Sequence, residues 1–158
     1  MLKHIVFAVA LAVAGLAQSL PARAAEAEVY YFGAKGCDYC AKGLDFLKRL
    51  EREDTGIRLR DYDIIASPSD SALFVFVVRA IGLADPHVPM TVIGHNVIIG
   101  YESDETTGRE IRLTIQQCRT KACPNILGDL LGLNPEMAEA VRGKFRIEQR
   151  FAKATERR

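Results

Sequence analysis

Cys37 and Cys40, in the stretch "GCDYC", are the residues of this chain best suited to chemistry. A pair of thiols two residues apart can do three things. It can cycle between dithiol and disulfide, it can brace a loop as a permanent disulfide, or it can supply soft ligands to zinc or copper. Position separates these readings. The pair follows the β-branched and aromatic run "EVYYF", Glu28 to Phe32, and the loop Gly33-Ala34-Lys35-Gly36, and it opens a segment with helical spacing.

At the start of a helix the first-turn N–H groups lack helical partners, and the aligned peptide dipoles place partial positive charge there. A thiolate at Cys37 is stabilised by both, so its pKa is expected to fall, each unit corresponding to ~1.4 kcal/mol in favour of the anion. Cys40 lies one turn further in, on the same face and close enough for a small disulfide. The outer sulfur would attack and the inner one would resolve the mixed disulfide. Asp38 adds an opposing negative charge and Lys35 offsets it.

The elements that must position the pair follow from periodicity. Leu44, Leu47 and Leu50 give a helix from Cys37 to about Glu53, with Gly43 a small local cost and Thr55-Gly56 ending it. Ile57 to Ile64, "IRLRDYDI", alternates as a strand. Ser67-Pro68-Ser69-Asp70 offers turn and N-cap chemistry before "SALFVFVVRAIGLA". The Val and Phe content of that segment favours a strand, while its length and cap favour a buried helix, and the helix is the reading adopted. Met90 to Ile93 and Val97 to Ile99 read as a hairpin around Gly94-His95-Asn96, and a helix follows from about Glu105 to Gln117. The order β-α-β-α-β-β-α gives an α/β fold with a mixed four-stranded sheet flanked by helices.

A strand, a loop, "CDYC" opening a helix and, much later, "VP" opening a hairpin resemble the thioredoxin superfamily. The spelling Cys-x-Tyr-Cys and "VPMTVIGHNVIIGY" resemble its glutaredoxin-like branch most, over about Glu28 to Cys118. The resemblance implies a thioredoxin-like fold and thiol–disulfide exchange with cysteine-containing proteins or small thiols. It makes Cys37 the nucleophile and Cys40 the resolving thiol. It also makes Pro89 a cis-proline beside the pair, and Val88 a backbone partner for an extended substrate segment. Lys35 and Tyr39 would complete the substrate-binding surface. The exchange needs no metal or nucleotide; its redox partner would be another protein, such as a membrane electron carrier, or a small thiol, glutathione among them. The direction of exchange depends on the relative stability of dithiol and disulfide.

The chain also departs from these families. Thioredoxins usually place Trp before the first cysteine; here Gly36 stands there, and the chain has no Trp. The buried acid that they keep six residues upstream is replaced by Tyr31. Glutaredoxins often carry Lys three residues before the first cysteine and Gly-Gly-x-x-Asp after the hairpin. Here Lys35 is two before, and the hairpin ends "IIGYESD". Asp104 is expected to cap the following helix, with Arg109 beside it available to a polar ligand.

Cys118 and Cys123 enclose "RTKA" at the end of the last core helix, and a disulfide there would add on the order of 2 kcal/mol. A structural tie and a second redox pair are both open to them. Two other classes compete with exchange: a copper- or zinc-binding protein using the same cysteines, and a non-catalytic module presenting a groove near Val88-Pro89. Neither His87 nor His95 adjoins a cysteine pair in sequence.

The first residues read as an export signal: Lys3, an apolar run of about thirteen residues from Ile5 to Ala17, and Ala22-Arg23-Ala24 as a small-x-small site. Such a run is short against the ~20 residues of a spanning helix. Residues 1–24 are therefore expected to be removed on export to the periplasm, leaving a thioredoxin-like domain over 25–124 and a C-terminal helical extension over 125–158. Asn134-Pro135-Glu136 reads as a helix start, and the tail from Arg142 is basic and reads as a solvated terminal helix. The net charge of +1 offers no nucleic-acid footprint, and with 49% hydrophobic residues a 158-residue chain can bury a core as a monomer.

Overall fold

A computed structural model describes residues 26–121, 123–132 and 146–149. Strand β1 (Ala27–Gly33) is central and almost wholly buried. It leads into helix α1 (Asp38–Glu53), strand β2 (Ile57–Asp63) and helix α2 (Pro68–Ile81). The hairpin β3 (Met90–Ile93) and β4 (Asn96–Ile99) follows. Helix α3 (Arg109–Thr120), the short helix α4 (Ile126–Leu131) and strand β5 (Arg146–Gln149) complete the described chain.

The sheet order is β2-β1-β3-β4-β5. β2 runs parallel to β1, with Tyr31 opposite Asp61. β3 runs antiparallel to β1, with Phe32 opposite Met90, and antiparallel to β4. The first four strands, with their flanking helices, are the mixed four-stranded arrangement read from the sequence.

The period-two alternation of β1 sorts two cores. Ala27, Val29 and Tyr31 face Phe46, Leu47 and Leu50 of α1 and Ile111 and Ile115 of α3. Tyr30 and Phe32 face Phe74, Val77 and Ile81 of α2 together with Leu127 and Leu130 of α4. The ambiguous apolar segment is thus a helix: Ser67 caps it by accepting from the Asp70 N–H, Pro68 takes the first turn, and Gly82 ends it at φ 74°. Packed against a sheet face already apolar, a helix half made of Val, Phe and Ala buries more than a strand at the edge would.

Gly43 has a packing reason. A Cβ there would stand 3.0 Å from the Tyr31 hydroxyl and 3.1 Å from the Tyr101 ring, so its absence lets α1 lie close on β1.

Three details differ from the sequence reading. Before α3 the chain makes a wide π-helical turn, Asp104–Gly108, and Ser103 caps it by accepting from the Thr106 N–H. Asp104 does not cap: it accepts from the Tyr101 hydroxyl at 2.5 Å and pairs with Arg49 of α1. The hydroxyl of Ser103, one residue earlier, already has the reach to the free N–H that capping requires. The C-terminal extension begins as a helix, but residues 146–149 are a strand parallel to β4, with Ile147 opposite Val97. "RIEQ" is short and polar enough for an edge strand, and β4 offers an open edge that isolated charge counting does not register. The expected helix start at Asn134-Pro135, and residues 1–24, lie outside the described residues.

Leu130 is fully buried in the α2-side core, and the Tyr30 hydroxyl of β1 donates to Asn125, the cap of α4. Leu130→Ala is therefore expected to destabilise the protein by about 3 kcal/mol in denaturant unfolding. A loss near zero would mean that α4 is not part of this core.

Candidate functional site

Cys37 occupies the N-cap position of α1 with extended backbone, φ −94° and ψ 113°. Its sulfur accepts from the Cys40 N–H at 3.2 Å, so one orphan donor of the first turn is directed at that sulfur. The two cysteines form a disulfide, with Cα atoms 5.2 Å apart. Their exposure is unequal: Cys37 is half-buried, whereas Cys40 is 3% exposed. An incoming sulfur can therefore reach the outer cysteine first.

Two contacts hold this turn. The buried Tyr31 hydroxyl donates to the Cys40 carbonyl at 2.7 Å, tying the inner cysteine to β1. Burial pushes the Tyr31 phenol well above its ordinary range, so it serves as a neutral donor. Asp63, at the end of β2, accepts from the backbone N–H groups of Lys35 at 3.2 Å and of Ile65 and Ala66 at 3.0 Å each. Those bonds, Ala66 and Ile65 foremost, hold its carboxyl below the ordinary range. Asp63 thus clips the loop before Cys37 to the loop after β2. Gly36 lies between, at φ 87°, a left-handed conformation that favours glycine.

A cavity of about 280 Å³ opens beside the disulfide. Its walls include Tyr31, Lys35, Cys37, Cys40, Asp61 and Asp63. Tyr39 and the Val88-Pro89 segment lie outside it. Tyr39 is 51% exposed on the first turn of α1, with the Lys42 ammonium 5.8 Å from its ring centroid. The Val88–Pro89 bond is cis, and the Pro89 carbonyl accepts from the Gly100 N–H at 2.7 Å. Because Met90 pairs with Phe32, Pro89 stands at the same end of the sheet as Cys37, toward β3 rather than β2. The structure therefore brings Lys35 to the pair directly, and sets Val88 and Pro89 on its other flank.

Cys118 and Cys123 also form a disulfide. It closes the end of α3, where the Cys118 sulfur packs under the β3–β4 turn: a Cβ on Gly94 would come within 2.8 Å of it. That turn is at the opposite end of β3 from Pro89, so the two pairs do not meet in a four-cysteine metal site. Among the described residues no group of three or more His, Cys, Asp or Glu is arranged to hold a metal ion.

The roles of Tyr31, Asp61 and Asp63 were not read from the sequence. For Asp61 the signal was present: in "IRLRDYDI" it falls in phase with Ile57 and Leu59, an acid at the exposed end of the strand face that packs on α1. For Tyr31 and Asp63 there was none, because their partners are backbone atoms distant in sequence or fixed by loop geometry.

Two outcomes test this geometry. Tyr31→Phe removes one hydrogen bond while keeping the ring, and is expected to cost about 1 kcal/mol in unfolding free energy. For Asp63 the folded pKa is depressed, so its stabilisation is full above the unfolded value and lost as pH falls through the folded one. Hydrogen exchange should show the Lys35, Ile65 and Ala66 amides protected down through the ordinary carboxylate range and opening only below it. Asp63→Asn should abolish that acid sensitivity.

Among solved structures, the chain is similar to the glutaredoxin of Archaeoglobus fulgidus, at 27% identity over 54% of this chain and 87% of that one, with a TM-score of 0.40. It is also similar to a protein of Agrobacterium tumefaciens, at 14% identity over 62% of this chain and 47% of that one, with a TM-score of 0.47. The chain thus spans about half the length of the Agrobacterium protein. No protein-family model and no curated protein matches it. The strand order β2-β1-β3-β4, the antiparallel β3 entered through a cis-proline, and a Cys-x-x-Cys disulfide at the N-terminus of α1 make this fold thioredoxin-like.

Proposed function

We propose that the protein is an exported thiol–disulfide oxidoreductase that exchanges disulfides with cysteine-containing proteins or small thiols through Cys37 and Cys40. The observation that carries this reading is the asymmetry of the pair. The outer sulfur is accessible and accepts a first-turn N–H, while the inner one is buried one turn behind. A thiolate at Cys37 gains from that N–H and from the helix dipole, which is what a nucleophile and a good leaving group need at neutral pH. Cys40 then resolves the mixed disulfide from behind. The flank at Val88-Pro89 supports docking of an extended substrate segment, with Lys35 and the exposed Tyr39 at the rim. The N-terminal pattern supports export, and the disulfide at Cys118–Cys123 supports a structural tie in an oxidising compartment.

The test is the reduction potential of the Cys37–Cys40 pair, read by equilibrating the protein in defined thiol buffers and trapping free thiols for mass analysis. A single two-electron transition is expected. Cys37→Ser should abolish both the transition and disulfide exchange with a model substrate. Cys118→Ser/Cys123→Ser should leave the transition in place while lowering stability by on the order of 2 kcal/mol. A pair that cannot be cycled, in a protein that retains stoichiometric copper or zinc until Cys37 is replaced, would overturn the reading in favour of metal binding.

A further inference from the structure

Resolution by Cys40 needs somewhere for its proton to go. The sulfur is buried, and the cavity beside it is bounded by few groups able to accept one. The Lys35 ammonium has no lone pair to offer. The Tyr31 phenol is a neutral donor engaged with the Cys40 carbonyl. Asp63 is committed to three backbone N–H groups, which make it a weak base. Asp61 remains. It lies on β2 in register with Tyr31, in phase with the inward-facing Ile57 and Leu59, and shares a cavity wall with both cysteines.

We propose that Asp61 is the proton acceptor for Cys40, acting through water in the cavity beside the disulfide. The proposal rests on the exchange function proposed above and assigns a further residue to it. A cavity of about 280 Å³ has room for such a water, with the carboxylate as one of its polar partners. In the reducing direction the step starts from a mixed disulfide between Cys37 and a substrate sulfur. The Cys40 thiol passes its proton through water to Asp61. The Cys40 thiolate then bonds to the Cys37 sulfur, the bond between Cys37 and the substrate breaks, and the electron pair leaves on the substrate sulfur. That sulfur takes a proton from solvent, and Asp61 returns its own to solvent. The two cysteines are oxidised by two electrons and the substrate disulfide is reduced by two.

The surroundings of Asp61 tune it for this. Partial burial raises its pKa, the Lys48 ammonium of α1, 3.8 Å away, lowers it, and the carboxylates of Asp63 and of Asp70 on α2 raise it, leaving it above the ordinary carboxylate range. Tyr31 on β1 and Lys35 in the loop also face this cavity. A carboxylate so placed is a better base than an ordinary one. The rate of resolution should then fall as pH drops through the raised pKa of Asp61.

The experiment follows the reduced protein reacting with an aromatic disulfide whose thiolate is coloured. The first equivalent released reports attack by Cys37, and the second reports attack by Cys40 on the mixed disulfide; mass analysis of the peptide confirms which pair has closed. In the wild type the second release should show an acid limb. Asp61→Asn should slow the second release on the order of 100-fold at neutral pH and replace the Asp61 limb with one at higher pH set by ionisation of the Cys40 thiol itself, with the first release little changed. Asp61→Glu should restore the limb. Lys48→Met should move it to higher pH, because the charge that lowers the Asp61 pKa is gone; this arm decides the matter if Asp61→Asn does not fold. An unaltered second release and pH profile in Asp61→Asn, or an unmoved limb in Lys48→Met, would overturn the role of Asp61 while leaving the exchange function intact. A wild-type protein that shows no second release would overturn the exchange function itself.

Discussion

The first turn of α1 begins with backbone N–H groups that have no helical partner, and the sulfur of Cys37 accepts one of them. This capping interaction decides where the helix starts, which cysteine faces outward and which is turned inward. Much of the surrounding structure serves to hold that turn at the end of β1. Tyr31 anchors it from the sheet through the Cys40 carbonyl, Asp63 clips the preceding loop to the end of β2, and Gly43 lets α1 approach the strand closely. The cap sets a local geometry, and these tertiary contacts keep it in one place.

β1 is the reason this is feasible. It is central, flanked by β2 and β3 and covered by helices on both faces, so its end is a rigid platform. The cysteine pair lies on the α1 side of that platform, and the cis-proline enters beside it from β3. The cavity forms where β2, on the other side, ends in two acids with different partners. Asp63 is consumed by backbone donors, while Asp61 keeps a loose pairing with Lys48. Two residues of the same type, two positions apart, thus have opposite shifts, because backbone hydrogen bonds dominate at one and desolvation outweighs the pairing with Lys48 at the other.

The second disulfide works at the other end of β3. There the Cys118 sulfur packs under the β3–β4 turn, and the disulfide joins the end of α3 to the segment that becomes α4. That segment returns Leu127 and Leu130 to the α2-side core, so α4 is part of the same packed body. β5 then covers the open edge of β4, an arrangement that leaves a short polar strand at the margin of the sheet.

Local pattern was enough to place most of this. β-branched and aromatic content identified β1, alternation identified β2, apolar spacing identified α1, the Ser67-Pro68 signal started α2, and the hairpin was legible around Gly94. The cysteine spacing at a helix start identified the pair as the candidate for chemistry. These features depend on residues close in sequence, whose side-chain periods and caps act before any distant contact forms. Tertiary structure alone decided the rest. It made Ser103 rather than Asp104 the cap before α3, because Tyr101 and Arg49 compete for that carboxylate. It turned part of the basic tail into a strand, because an edge of β4 was free to pair. It brought Asp61 to the cavity wall and Tyr31 to the Cys40 carbonyl, because register across β1 and β2 and the seating of α1 depend on how the whole sheet packs.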